Sequence, residues 1–241
     1  MRSKMVPGLL LMCIVVPAFS LGMFERHTQL AGTVIEHPTP AFDFTLADQN
    51  NQSFHMADTR GKVVLILFIY THCTDICPYE AVKVKLAHDL LGSAAKNVVL
   101  VAVTTDPVRD TPAVMKAYSK TLGLSDGWHF VGGTTAAVHD VWSGYGIGVS
   151  VDQQTQAVAA TEEKGAATGS SDIGQQGLLN GLSEADINLV GRIEDAFGGG
   201  YDVGHSAPFW FVDKKGVVRE VMNGDATPAD LVKDIRALLA E

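Results

Sequence analysis

Two cysteines four positions apart, in Tyr70-Thr71-His72-Cys73-Thr74-Asp75-Ile76-Cys77-Pro78, are the residues of this sequence best suited to chemistry. They follow an unbroken apolar run, Val63 to Tyr70, and precede a segment in which Val82, Leu86 and Leu90 recur at helical spacing. Thiols at this spacing fall on one side of a helical turn. Cys77 stands just before Pro78, which opens the helix. There the helix dipole and unpaired N–H groups favour a thiolate, the form that attacks electrophiles and binds metals. The carboxyl end of a buried strand is also where ligands bind in open α/β sheets. A purely structural disulfide between the two would close a tiny loop and constrain the unfolded chain little.

The elements that must position this pair can be read around it. The run from Val63 suits a strand buried on both faces of a parallel sheet. Phe42, Phe44 and Leu46 alternate as in a half-buried strand, Asp48-Gln49-Asn50-Asn51 supplies turn residues, and Ser53 to Met56 returns as a hairpin partner. The helix after Pro78 ends at Gly92, a second buried strand spans Val98 to Val103, and Asp110-Thr111-Pro112 starts a helix reaching about Leu122. Ala136 to Tyr145 reads as a third helix. Near the end, Pro208 to Val212 and Val217 to Met222 flank a turn at Lys214-Lys215-Gly216. Thr227-Pro228-Ala229-Asp230 then caps a helix with Leu231, Ile235, Leu238 and Leu239 on one face. Residues 151–203 interrupt the rhythm and read as a surface insertion, mobile over 155–180, with one amphipathic helix from Glu184 to Phe197 capped by Ser183. The sum is an α/β sandwich with right-handed crossovers.

Composition limits the alternatives. With 241 residues, 46% hydrophobic and 19% charged, the chain is globular, and 18 basic against 27 acidic residues give a net charge of −9. An acidic protein lacks the cationic surface that nucleic-acid binding needs, so no nucleic-acid partner is expected. Three cysteines are too few for a disulfide scaffold. The run Met5 to Phe24 carries no charge and follows Arg2 and Lys4. It is either a signal peptide cleaved after Ala18-Phe19-Ser20 or an uncleaved membrane anchor, and on both readings the rest of the chain is exported. Cys13 lies within it as a bystander. The expected organisation is a signal peptide or anchor at 1–24, a tether at 25–41, and a single domain at 42–241 with the insertion at 151–203.

From Phe42 onward the sequence resembles the Sco/SenC family of exported thioredoxin-like proteins. The resemblance rests on Cys73-x-x-x-Cys77-Pro78, on Thr105-Asp106-Pro107 with Arg109-Asp110-Thr111-Pro112, and on His205 shortly before a strand that ends at Asp213. Where the family often has proline, this chain has Thr74, and its insertion is longer than usual. The resemblance implies a thioredoxin-like α/β fold with an N-terminal β-hairpin, a long insertion before the cis-proline strand, and a cis Ala207–Pro208 bond. It also implies a copper site made of Cys73, Cys77 and His205. Two thiolates and an imidazole suit three-coordinate Cu(I), and hold Cu(II) when a further ligand is added; structural zinc would want a fourth protein ligand. Asp106 would orient His205 or cap the cysteine loop from outside the ligand set. His72 would stand outside it too. The other histidines (His27, His37, His55, His88, His129, His139) carry no such placement.

Two activities follow. In the first, reduced Cys73 and Cys77 with His205 bind copper and deliver it, as the resemblance implies, to the binuclear copper site of apo cytochrome c oxidase subunit II. In the second, the pair is a thiol–disulfide oxidoreductase that reduces the cysteines of that or another exported target. Either needs a copper donor or a thioredoxin-like reductant, in the periplasm or at the inner membrane facing it. A tethered binding module with a vestigial site is a third, non-catalytic reading. His205 discriminates, because a dithiol enzyme does not need it. The three intervening residues argue against a generic thioredoxin. Tyr70, in place of the threonine before the cysteine, argues against a peroxiredoxin.

Overall fold

Strand β4 (Val63–Ile69) runs through the centre of the molecule with every residue buried. Val63, Leu65, Leu67 and Ile69 face one core, and Val64, Ile66 and Phe68 face the other. A strand covered on both faces has no place for a polar side chain, which is why its sequence is continuous rather than alternating. β5 (Val98–Thr104) lies parallel to β4 and is equally buried, and β6 (Trp128–Gly132) extends the parallel set. The computed structural model describes residues 30–151 and 175–241. The expectations for the apolar run 5–24, for Cys13 and for most of the stretch read as mobile therefore lie outside the described residues.

Antiparallel strands complete both edges. β2 (Thr45–Asp48) and β3 (Ser53–His55) form the expected hairpin, turning at Asn51 with φ of 58°, and β2 pairs with β6. On the other side β9 (Phe209–Val212) pairs with β4, β10 (Val218–Met222) with β9, and the short β1 (Thr33–Val34) with β10. The sheet order is β1-β10-β9-β4-β5-β6-β2-β3.

The first core is covered by α1 (Ile76–Leu91), α2 (Pro112–Leu122) and three later helices, through Ala81, Val82, Met115 and Tyr118 among others. α3 (Thr135–Gly144) lies on the second core with Val138, Val141 and Trp142, beside Phe44 and Phe54 of the hairpin region. β7 (Val149–Val151) leaves the main sheet. A short α4 (Gln175–Leu179) then precedes α5 (Glu184–Phe197), whose N-terminus is closed by a Ser183–Asp186 capping box. α5 is not a superficial addition: Leu189, Val190 and Ile193 are part of the first core. α6 (Pro228–Leu239) closes the chain with its own box at Thr227 and Asp230, burying Leu231, Ile235 and Leu238.

β8 (Val203–His205) pairs with β7 in a separate two-stranded ribbon. The irregular link Ser206-Ala207-Pro208 then leads to β9, and no cis peptide bond occurs among the described residues. Ala207–Pro208 is therefore trans, contrary to the sequence expectation. Trans is the default even before proline, and a link that joins two strands without turning tightly gives no reason to depart from it.

The residues preceding β1 are clasped by a buried acid pair. Asp234 on α6 accepts the Ala31 N–H at 2.7 Å, and Glu220 on β10 accepts the Gly32 N–H. Neither residue is exposed to solvent, and Asp234 is among the groups that raise the Glu220 carboxyl. Glu220 Oε2 and Asp234 Oδ1 are buried without a hydrogen-bond partner, a setting that favours a protonated over a charged carboxyl. Burial, and then Asp234, push the Glu220 carboxyl up to about 8; the Gly32 N–H and Lys233 pull the other way.

Candidate metal centre

The two thiols sit where β4 hands over to α1, both free and both buried. α1 begins at Ile76, two residues before Pro78, so Cys77 lies within its first turn and Cys73 in the loop ahead of it. The thiols interact, and they do not titrate alike. Burial pushes Cys73 up, but hydrogen bonds from the Cys77 side chain, from the N–H groups of Cys77 and Asp75 and from the Tyr70 hydroxyl outweigh it, so Cys73 ends below its ordinary range. Cys77 ends well above it, raised first by burial, then by its bond to Cys73 and the neighbouring charges of Cys73 and Glu80. The helix N-terminus does not make Cys77 the thiolate; desolvation overrides the dipole there.

His205, 128 residues away in the chain, reaches this pair. Its Nε2 lies 3.5 Å from Cys77 Sγ. Its Nδ1 lies 3.0 Å from the Ser206 carbonyl, which can only accept, so Nδ1 carries the proton. Burial pulls the imidazole below its ordinary range, partly offset by that carbonyl, and keeps it neutral. Nε2 therefore turns a bare lone pair toward the sulfur. With metal–ligand bonds of about 2.0 Å to nitrogen and about 2.3 Å to sulfur, atoms sharing an ion stand about 3.5–3.8 Å apart, so this spacing fits a common metal. Among the described residues, no three His, Cys, Asp or Glu side chains are already closed into a metal cage. The site is two soft sulfurs and one prepared nitrogen.

Asp106 has other partners than His205. Nearly fully buried at the carboxyl end of β5, it pairs with Arg109 and accepts the Tyr201 hydroxyl at 2.9 Å. It thus acts on the segment leading into β8 rather than on the imidazole. His72 is half-buried and pulled down by burial and by the Arg109 charge, with Asp106 opposing; its Nδ1 contacts the Thr71 hydroxyl at 2.9 Å.

Several residues matter to the site through tertiary contacts that the sequence does not announce. Asp110, pushed up to about 6 by burial despite bonds from Thr104 and Thr71, accepts the N–H and hydroxyl of Thr71 and so pins the cysteine loop. The Tyr70 hydroxyl accepts the Val203 N–H at 3.2 Å, and its ring meets His205 edge to face at 5.9 Å. Glu80, one turn after Cys77, is buried with both carboxyl oxygens unpartnered, and burial holds it well above the ordinary carboxyl range. Its helical offset from Cys77 was the one available clue.

A pair of thiols and an imidazole thus converge at a strand–helix junction of this sheet. The SCO1/SenC family profile matches residues 34–172, which include both cysteines and Asp106 and stop short of His205. The chain belongs to the SCO1/SenC family. A SCO2-like protein of Rickettsia felis is 40% identical over 78 residues, 32% of this chain and 38% of that protein. The chain thus matches well under half the length of such curated relatives. Among solved structures, copper-bound ScoI of Bradyrhizobium japonicum superposes with a TM-score of 0.59 at 22% identity, covering 83% of this chain and 99% of that one. Apo Sco1 of Thermus thermophilus gives 0.61 at 23% identity, covering 88% and 99%. These likenesses establish the shared thioredoxin-like fold.

Proposed function

We propose that this chain is an exported copper metallochaperone. The reading rests chiefly on the neutral His205 Nε2 aimed at Cys77 Sγ from 3.5 Å, next to the second free thiol, Cys73. Copper is the cargo. Two sulfurs and one imidazole match the preference of Cu(I) for soft donors and low coordination number. The family relative from Bradyrhizobium japonicum, described with copper bound, supports the same metal. The receiving site is the binuclear copper centre of apo cytochrome c oxidase subunit II, as the family resemblance implies, and cargo passes by exchange of one thiolate at a time. The domain works outside the cytoplasm, in the periplasm or held at the inner membrane by residues 5–24. The test is competitive Cu(I) binding to the reduced chain and to Cys73→Ala, Cys77→Ala and His205→Ala. One ion per chain and weakened binding in each variant is expected; unchanged affinity in all three sinks the proposal.

The thiol–disulfide reading draws on a separate observation, the opposed titration of the two thiols. Cys73 is the better nucleophile toward a target disulfide. The mixed disulfide it forms is then displaced by Cys77, leaving a Cys73–Cys77 disulfide and a reduced target, and a thioredoxin-like reductant must restore the dithiol. Loss of cargo delivery in His205→Ala with an unaltered dithiol potential favours copper. Retained delivery with an altered potential favours redox.

A further inference from the structure

His205 is delivered to the thiols by a segment poorly able to hold itself. Between α5 and β8 run Gly198, Gly199 and Gly200, the last two at φ of 114° and 87°. Consecutive glycines in the left-handed region have the greatest backbone freedom to lose on folding, so an ordered path through them needs outside support. Arg109 supplies it. Nη1 donates to the Gly199 carbonyl at 3.1 Å, Nη2 to the Tyr201 carbonyl at 2.8 Å, and Nε to Asp106. The guanidinium lies 3.6 Å from the Tyr201 ring centroid, and the Tyr201 hydroxyl returns to Asp106, closing a circuit of Asp106, Arg109 and Tyr201. The fit is close: a Cβ on Gly200 would stand 2.7 Å from Arg109 Nη1. The next residue, Asp110, holds Thr71 in the cysteine loop. Neighbouring residues of the β5–α2 loop therefore grip the two halves of the site, Asp110 the thiol half and Arg109 the imidazole half.

We propose that Arg109 is a positioning residue that sets His205 over Cys77 and so tunes the affinity of the site for its cargo. The work is done by the planar fork, which spans two carbonyls and a carboxylate at once while stacking on a ring. A lysine keeps the charge and loses that geometry. The inference rests on the proposed copper site, and its test separates the two.

Two readouts on the full chain decide it. In the metal-free protein, Arg109→Lys is expected to speed amide hydrogen exchange at Val203–His205 by about tenfold or more, with β4 and β5 unchanged, and to shift the His205 ring resonances. Tyr201→Phe, which removes one hydroxyl, shifts the same signals less. In Cu(I) competition, Arg109→Lys is expected to weaken binding by about 10–100-fold, the range for a group that orients a ligand. In a His205→Ala background the same substitution is expected to cost nothing further. Undisturbed exchange at Val203–His205, or losses that add in the double variant, overturns the proposal. If His205→Ala alone leaves Cu(I) affinity intact, the copper reading of His205 falls, and the exchange measurement alone then upholds or overturns the clamp.

Discussion

The Glu220–Asp234 pair gives the most quantitative prediction. An ordinary glutamate titrates near pH 4.3, whereas Glu220 is pushed up to about 8 in the folded chain by burial and by Asp234. Between those values the folded state holds one proton more than the unfolded state. Its contribution is therefore complete below about pH 4.3 and drains away as pH rises toward 8, at up to ~1.4 kcal/mol per unit. Across the window the loss approaches ~5 kcal/mol as an upper bound, a large share of the ~5–15 kcal/mol that stabilises a typical domain. Lys233, the nearby cation on α6, works against the shift. β1 and β9 place Val34 and Phe211 opposite Glu220 and contribute no charge. Glu220→Gln keeps an acceptor for the Gly32 N–H and removes the titrating carboxyl. Urea unfolding from pH 5 to pH 8.5 should show the wild-type midpoint falling more steeply than that of the variant, which keeps only the fall contributed by the other buried carboxyls, Asp110 and Glu80. The variant should be within ~1 kcal/mol of wild type at pH 5 and more stable by ~2–4 kcal/mol at pH 8. A wild-type midpoint that does not fall, or a variant that falls as steeply, refutes the proton held on Glu220.

Other outcomes follow from the site. Tyr70→Phe leaves the Val203 N–H without its acceptor and should cost ~1–3 kcal/mol in urea unfolding. Alkylation at neutral pH followed by peptide mapping should modify Cys73 ahead of Cys77, because hydrogen bonds lower one thiol and burial raises the other; the reverse order contradicts the assignment. Asp110→Asn removes an acceptor of the Thr71 N–H and hydroxyl, loosens the cysteine loop and should speed alkylation of Cys73 severalfold with little change at β6 amides. Phe211→Ala opens a cavity at a fully buried position and should cost ~3–5 kcal/mol.

What could be read from the sequence followed from periodicity and punctuation. β4 and β5 announced themselves because burial on both faces forbids polar residues, and α5 and α6 because Ser183 and Thr227 sit in capping boxes just ahead of amphipathic runs. β6 gave no such signal: Trp128-His129-Phe130-Val131-Gly132 is short and mixed, and its strand character comes from pairing with β5 and β2. The ribbon of β7 and β8 was equally silent, since three-residue strands depend on their partner. Cys73 and Cys77 were visible as a local motif, and His205 only through family resemblance, because a loop histidine is common and its value lies in a contact across 128 positions. The roles of Arg109, Asp110 and Tyr201 are tertiary too. Arg109 and Asp110 are neighbours in sequence, yet their hydrogen bonds reach opposite halves of the site.

That separation of 128 positions also sets an order of assembly. The thiols lie in the first β–α unit, while the histidine becomes available only after α5 has emerged. β9, which follows the histidine, must still add to the far edge of β4. Closing so long a loop is entropically costly and slow, and it comes after the local contacts of the first strands and helix. An incompletely folded chain therefore displays a bare dithiol without its nitrogen donor, open to oxidation and to any soft metal. On the proposed copper reading, discrimination among metals is in this sense a property of the finished topology, and the interval before β9 docks is when the chain most needs its cysteines kept reduced.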